Sequence, residues 1–162
     1  MSALPSTRLM SDSPTTAELI DAIREGALFG EGTQLEGPGG IETMAAVLEE
    51  NAHPDFTTVM VAKSAEPTEY FGVNGFRDAL TDWISPYEDF RLEIDEVISQ
   101  ENSLVFLVRQ VGTTKHGGVA VETPSASVWA MLDGKIRQTT FYLDQREALE
   151  AVGIDPDQRT QV

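Results

Sequence analysis

"FRLEIDEVISQENSLVFLVRQVGT", residues 90–113, is the stretch whose reading decides the fold class. Before it, apolar residues recur at helical spacing; from Phe90 they recur at every second position. Phe90, Leu92 and Ile94 alternate with Arg91, Glu93 and Asp95, the pattern of a strand with one wet face. The phase slips at "EVI" (96–98), as a β-bulge that bends the strand makes it slip. The second half, "SLVFLVRQVG", is apolar almost throughout, which predicts a central strand covered on both faces.

Working towards the C-terminus, "VAVETPSASVWAML" (119–132) predicts a further long strand, with Pro124 marking a kink or an edge position. Asp133-Gly134 between two strand patterns predicts a type I′ hairpin, and "KIRQTTFYL" the returning strand. "DQREALEAVG" (144–153) then turns helical. Asp144 and Glu147 have capping-box spacing, Leu149 and Val152 give an apolar side, and Gly153 stands where a left-handed C-cap belongs. That helix start accounts for Asp144 without any acid chemistry.

Towards the N-terminus the period is 3.6. "VNGFRDALTDWIS" (73–85) puts Phe76, Ala79, Leu80, Trp83 and Ile84 on one face, with Asn74 as N-cap and Pro86 as the stop. "EYFG" and "TTVMVAK" predict short strands. "IETMAAVLEEN" predicts a helix through Ile41, Met44, Val47 and Leu48, stopped by "HPDF". "TAELIDAIREG" predicts a first helix, with Thr15 and Glu18 at capping-box spacing. The glycines of "GEGTQLEGPGG" (30–40) predict a break, read as a mobile flap or a plain connector. It is no phosphate loop, because no strand precedes it and no Lys-Ser/Thr follows. Helices first and a meander of long bent antiparallel strands after them define an α+β domain, with helices on one face of a curved sheet.

Length and composition fix the class of partner. A chain of 162 residues is one domain with a real core. Eleven Lys and Arg against 27 Asp and Glu give a net charge of −16, which repels phosphate backbones and anionic lipid. Nucleic acid and membrane surfaces are therefore excluded as partners, and no apolar run approaches the roughly 20 residues of a membrane-spanning helix. With no cysteine and two distant histidines, His53 and His116, neither a metal site nor a cofactor is expected. The ends, 1–14 and 155–162, read as flexible tails around a domain over 15–154, and the start has no secretory apolar region. The expected location is the cytoplasm.

The element order and several motifs resemble the SnoaL-like branch of the nuclear transport factor 2-like superfamily. The motifs are "HPDF", "GVNGFRDAL", residues 90–113, "SVWAMLDGKI" and "YLDQREALEAVG". The resemblance spans about residues 15–154. It implies a cystatin-like cone: a curved antiparallel sheet wrapped around the N-terminal helices, a short C-terminal helix, and an apolar small-molecule pocket open at one end. It also implies a homodimer through the outer face of the sheet. The family includes ketosteroid isomerases, polyketide cyclases, epoxide hydrolases and domains without known chemistry, so the fold alone licenses no reaction. Pocket candidates are Phe29, Trp83, Tyr87, Phe90, Phe106, Ser127, Trp129, Phe141 and Tyr142; for the large ones, filling of the core is the competing explanation.

The carboxylates that the family's enzymes use fall on other residues here. The isomerase base position lies near Met60 or Val61, the hydrogen-bonding acid near Ser127, and the cyclase acid at Phe141. What remains for acid–base work is His116 in a Gly-rich turn, Arg109 within the most apolar strand, and Tyr142, with Glu122 as a partner and Lys63 as a solvated cation. Three functions follow. The first is binding of a small, mostly apolar molecule. The second is a cyclase, isomerase or hydrolase with a rearranged set built on His116, Tyr142, Arg109 and Ser127, and the third is a homodimeric module with a filled core.

Overall fold

The computed structural model describes residues 31–61 and 66–159. Along them run β1 (Gln34–Glu36), α1 (Gly37–Asn51), β2 (Ala52–Val61), β3 (Thr68–Phe71), α2 (Gly72–Ile84), β4 (Tyr87–Gln100) and β5 (Ser103–Thr114). β6 (Ala120–Leu132), β7 (Lys135–Tyr142), α3 (Gln145–Ala151) and α4 (Pro156–Arg159) complete the order. The helix expected from Thr15 onward lies outside the described residues, as do Phe29 and Lys63.

The seven strands form one sheet in the order β1-β4-β5-β6-β7-β2-β3. Every pairing is antiparallel except that of β2 with β7, which is parallel, so the sheet is mixed rather than a pure meander. The bulge expected near residue 96 is present: the β4–β5 register shifts between Ile94 and Glu96, and Val97 returns to the buried face. The hairpin at Asp133-Gly134 has positive φ at both residues, 55° and 76°, as a type I′ turn requires. Pro124 pairs with Arg109 on β5, while β7 joins β6 only from Ala126, so Pro124 sits where β6 has a free edge on its other side.

Two helices fill one face of the sheet. α1 buries Ile41, Met44, Val47 and Leu48, and α2 buries Phe76, Ala79 and Leu80, with Trp83 and Ile84 packed at the margin. Opposite them stand Leu92, Ile94, Leu104, Phe106, Trp129 and Phe141 from four neighbouring strands. Asn74 is not the cap of α2: the helix starts at Gly72, and the Asn74 side chain instead accepts from Arg77 Nη1 at 2.9 Å. The segment expected as flap or connector is ordered structure as well. Its Leu35 is buried in β1 against β4, and its last glycines form the first turn of α1. Gly40 is there for close packing, since a Cβ would stand 2.7 Å from the Leu35 carbonyl carbon.

α3 lies on the opposite face and covers a smaller apolar cluster of Val105, Leu107, Ala126, Val128, Ala148 and Leu149. This is why "SLVFLVRQVG" reads as apolar on both phases. The Asp144 carboxylate accepts the Arg146 N–H at 2.9 Å, and Gly153 at φ 84° closes the helix. The paired bonds from Gly153 N–H to Glu150 and from Ile154 N–H to Leu149 make this end a Schellman motif. Residues 156–159, read from sequence as tail, form the single turn of α4, with Asp157 ion-paired to Arg146 at 2.9 Å.

Candidate functional site

Strand alternation decides which side chains can meet a ligand. On β5, Phe106 and Val108 face the helices, whereas Leu107 and Arg109 face away. On β6, Ser127 and Trp129 face in and Ala126 and Val128 out; on β7, Phe141 faces in and Tyr142 out.

The inward set, with the backbone side of the outward-facing Ala126, borders a small apolar cavity. Leu35, Met44, Trp83, Leu92, Ile94, Phe106, Val108, Ala126, Ser127, Trp129 and Phe141 line it, so five of the pocket candidates converge there: Trp83, Phe106, Ser127, Trp129 and Phe141. Its volume is about 20 Å³, room for roughly one water molecule. The aromatic rings explain why so little is left. Phe76 lies 6.3 Å from Trp129 and 6.0 Å from Phe141, and Phe106 stacks edge-on to Trp129 at 5.7 Å. The hydroxyl of Ser127 accepts from Trp129 Nε1 at 3.2 Å, which leaves its own O–H to donate.

A second, larger space adjoins this cavity. It measures about 250 Å³ and is lined by Met60, Val61, Tyr70, Ala79, Asp82, Trp83, Phe141 and Leu143. Trp83 and Phe141 border both spaces, their rings 5.3 Å apart and nearly perpendicular at 76°. The sequence reading missed Met60, Val61, Tyr70, Asp82 and Leu143 as lining residues. For Tyr70 and Asp82 a signal existed: Tyr70 alternates with the exposed Phe71, and Asp82 precedes Trp83 on the same helix end.

The other candidates are placed elsewhere. Tyr87 and Phe90 stack at 5.5 Å and border a separate polar surface groove of about 480 Å³ with Gln34, Glu36, Asp89 and Arg91. Tyr142 packs with the α3 cluster on the outer face rather than into the cone, because it is one residue out of phase with Phe141. There burial, and then the Glu147 carboxylate, pushes its phenol above the ordinary value of 10.0. Arg109 is also outward. Its guanidinium bonds Asp95 at 3.0 Å, Glu122 at 2.8 Å and Glu93 at 2.9 Å, and the bonds to Asp95 and then Glu122 raise its pKa further. Three carboxylates thus engage the cation proposed as a substrate clamp. His116 is exposed in the β5–β6 turn, where its carbonyl accepts from the Thr114 hydroxyl at 3.0 Å. The structure therefore does not bring His116, Tyr142 and Arg109 together in the cone.

No group of three or more His, Cys, Asp or Glu among the described residues is arranged to hold a metal ion. Among the described residues, no helix is long and apolar enough to cross a membrane.

A seven-stranded mixed sheet, open at its edges and packed on two helices around a small apolar space, defines an α+β cone. The chain belongs to the SnoaL-like domain family, which it matches over residues 31–139. Solved structures share the fold. A Mesorhizobium loti protein assigned as a SnoaL-like polyketide cyclase is similar at 15% identity and a TM-score of 0.56, over 80% of this chain and 99% of its own. TerC, co-crystallized with polyporic acid, is 21% identical with a TM-score of 0.54, over 85% of this chain and 96% of its own. A phenazine biosynthesis-related protein of Pseudomonas aeruginosa is 15% identical with a TM-score of 0.54, over 86% of this chain and 90% of its own. At these identities the likeness is one of fold. No curated protein matches the chain.

Proposed function

We propose that this domain binds a small, mostly apolar molecule at the mouth of the cone, without transforming it. The observation that carries the reading is the space of about 250 Å³ outside Trp83 and Phe141, whose wall is largely apolar. Tyr70 and Asp82 supply polar points at its rim, and Ser127 supplies one donor deeper in. The Asp82 carboxylate, on a chain of net charge −16, disfavours an anionic ligand and favours a neutral or donor-bearing one. Fold neighbours co-crystallized with polyporic acid or named for polyketide and phenazine chemistry support a small organic ligand. The preference for a neutral one rests on Asp82 and the net charge alone. Catalysis by His116, Tyr142 and Arg109 lacks this support, since none of them borders the space. We place the domain over 15–154, working in the cytoplasm, with a homodimer formed through the outer face of the sheet.

A second reading, the filled-core module, is favoured by the inner cavity of about 20 Å³. Native mass spectrometry of the purified chain, followed by calorimetric titration with 4-phenylphenol, separates the two. A co-purified small molecule or saturable binding of 4-phenylphenol supports the pocket. An unliganded mass together with no saturable binding leaves the filled core.

A further inference from the structure

We infer that the Trp83 indole is a gate that divides the proposed site into two compartments and decides how deep a ligand can reach. The inference rests on the pocket reading above and specifies its inner limit. Trp83 borders three separate voids at once: the inner cavity, the outer space, and a void of about 10 Å³ towards α1. Two of these voids hold about one water or less, so the room for this partly exposed ring to turn lies on its outer side, in the space of about 250 Å³.

Of the two rings that form the partition, Trp83 is the less constrained. Phe141 is 4% exposed, lies on β7 between β6 and β2, and is held against Phe76 at 6.0 Å. Trp83 instead stands in the last turn of α2 and is only partly buried. The backbone there is anchored, because the Ser85 N–H at 3.3 Å and the Ser85 hydroxyl at 2.8 Å both donate to the Asp82 carbonyl. The motion inferred is that of the side chain, for which a helical tryptophan has two favourable χ1 wells. In the orientation observed, the indole meets Phe141 edge-on and stands between the inner cavity and the outer space. In the other, the inner cavity and the outer space join, and the Ser127 hydroxyl comes within reach of an acceptor on a longer ligand. Trp83 thus sets ligand length: a short apolar molecule stays outside, and an elongated one displaces the indole to use the inner end.

The chain has two tryptophans, so Trp83→Phe and Trp83→Ala each leave Trp129, on the wall of the inner cavity, as the sole indole emitter. Acrylamide quenching then reads the gate directly. Trp129 should stay shielded in Trp83→Phe, which keeps a ring at the partition. It should be quenched several-fold more steeply in Trp83→Ala, with 4-phenylphenol binding tightened about tenfold. Equal quenching in the two variants overturns the gate, even where 4-phenylphenol binds the unaltered chain. Absence of binding to the unaltered chain counts against the pocket reading alone, since the quenching comparison still decides the gate. If Trp83→Ala fails to melt cooperatively, Trp83→Leu takes its place with the same two outcomes.

Discussion

The inner and outer faces of β5 carry different physics on adjacent residues. Phe106 and Val108 point into a ring-filled interior with Phe76, Trp129 and Phe141. Leu107 points into the thin cluster under α3, and Arg109 lies among three carboxylates at the surface. The inner face is shaped by non-directional burial and has little polar chemistry beyond Ser127. The outer face holds most of the groups that look reactive in sequence, yet salt screens an exposed ion network and each pair in it contributes little. Stability and ligand shape therefore belong to one face, and charge to the other.

The largest effect expected is on the inner face. Phe76 is fully buried and touches Phe56, Trp129 and Phe141, so Phe76→Ala should destabilise the domain by about 3–5 kcal/mol in urea unfolding. Leu149 is the outer counterpart, 5% exposed on the inner side of the seven-residue α3. Leu149→Ala should cost about 2 kcal/mol, the low end for such truncations, because α3 can settle into the space. Equal losses from the two variants would break the contrast and show one cooperative core through the sheet.

A smaller effect isolates α3 itself. Asp144→Ala removes the oxygen that accepts the Arg146 N–H and should cost about 1 kcal/mol. Hydrogen exchange should quicken within α3 while the amides of β5 and β6 keep their protection. Acceleration that spreads into β5 would mean that the outer cluster supports the sheet rather than resting on it.

How much of this was legible in the sequence follows from periodicity. The switch from 3.6 to 2 at Phe90, the bulge after Ile94, the Asp133-Gly134 turn, and the Asp144 and Gly153 ends of α3 all depend on local spacing and are present. Asp144, however, caps through the Arg146 N–H rather than in a box with Glu147. The parallel pairing of β2 with β7 depends on which distant strand β2 finds, which no local pattern encodes. The glycines of 30–40 read as a flap or a connector because Leu35, the residue that requires Gly40 to be small, becomes its neighbour only after β1 folds back. At the site, residue type misled where parity would have served. Arg109 and Tyr142 were singled out for their chemistry, although each is one position out of phase with the inward residues Val108 and Phe141. Trp83, Phe106, Ser127, Trp129 and Phe141, selected as lining residues, do converge.

Tyr142 offers the finest test of that parity, because its placement has a pH signature. Burial against the α3 cluster, then the Glu147 carboxylate, raises its pKa above the ordinary 10.0, so the folded state favours the protonated phenol. The folded chain holds that proton at pH values where the unfolded chain has released it. The stabilising contribution is therefore complete below about pH 10 and is lost as pH rises through the raised folded value. Tyr142→Phe keeps the ring and removes the titration, so unfolding measured from neutral pH to above pH 10 should show a shallower alkaline decline than the unaltered chain. A decline of the same slope in both would mean that the phenol titrates as it does in water. Tyr142 would then be uncovered by α3, and the outer cluster would end at Leu149.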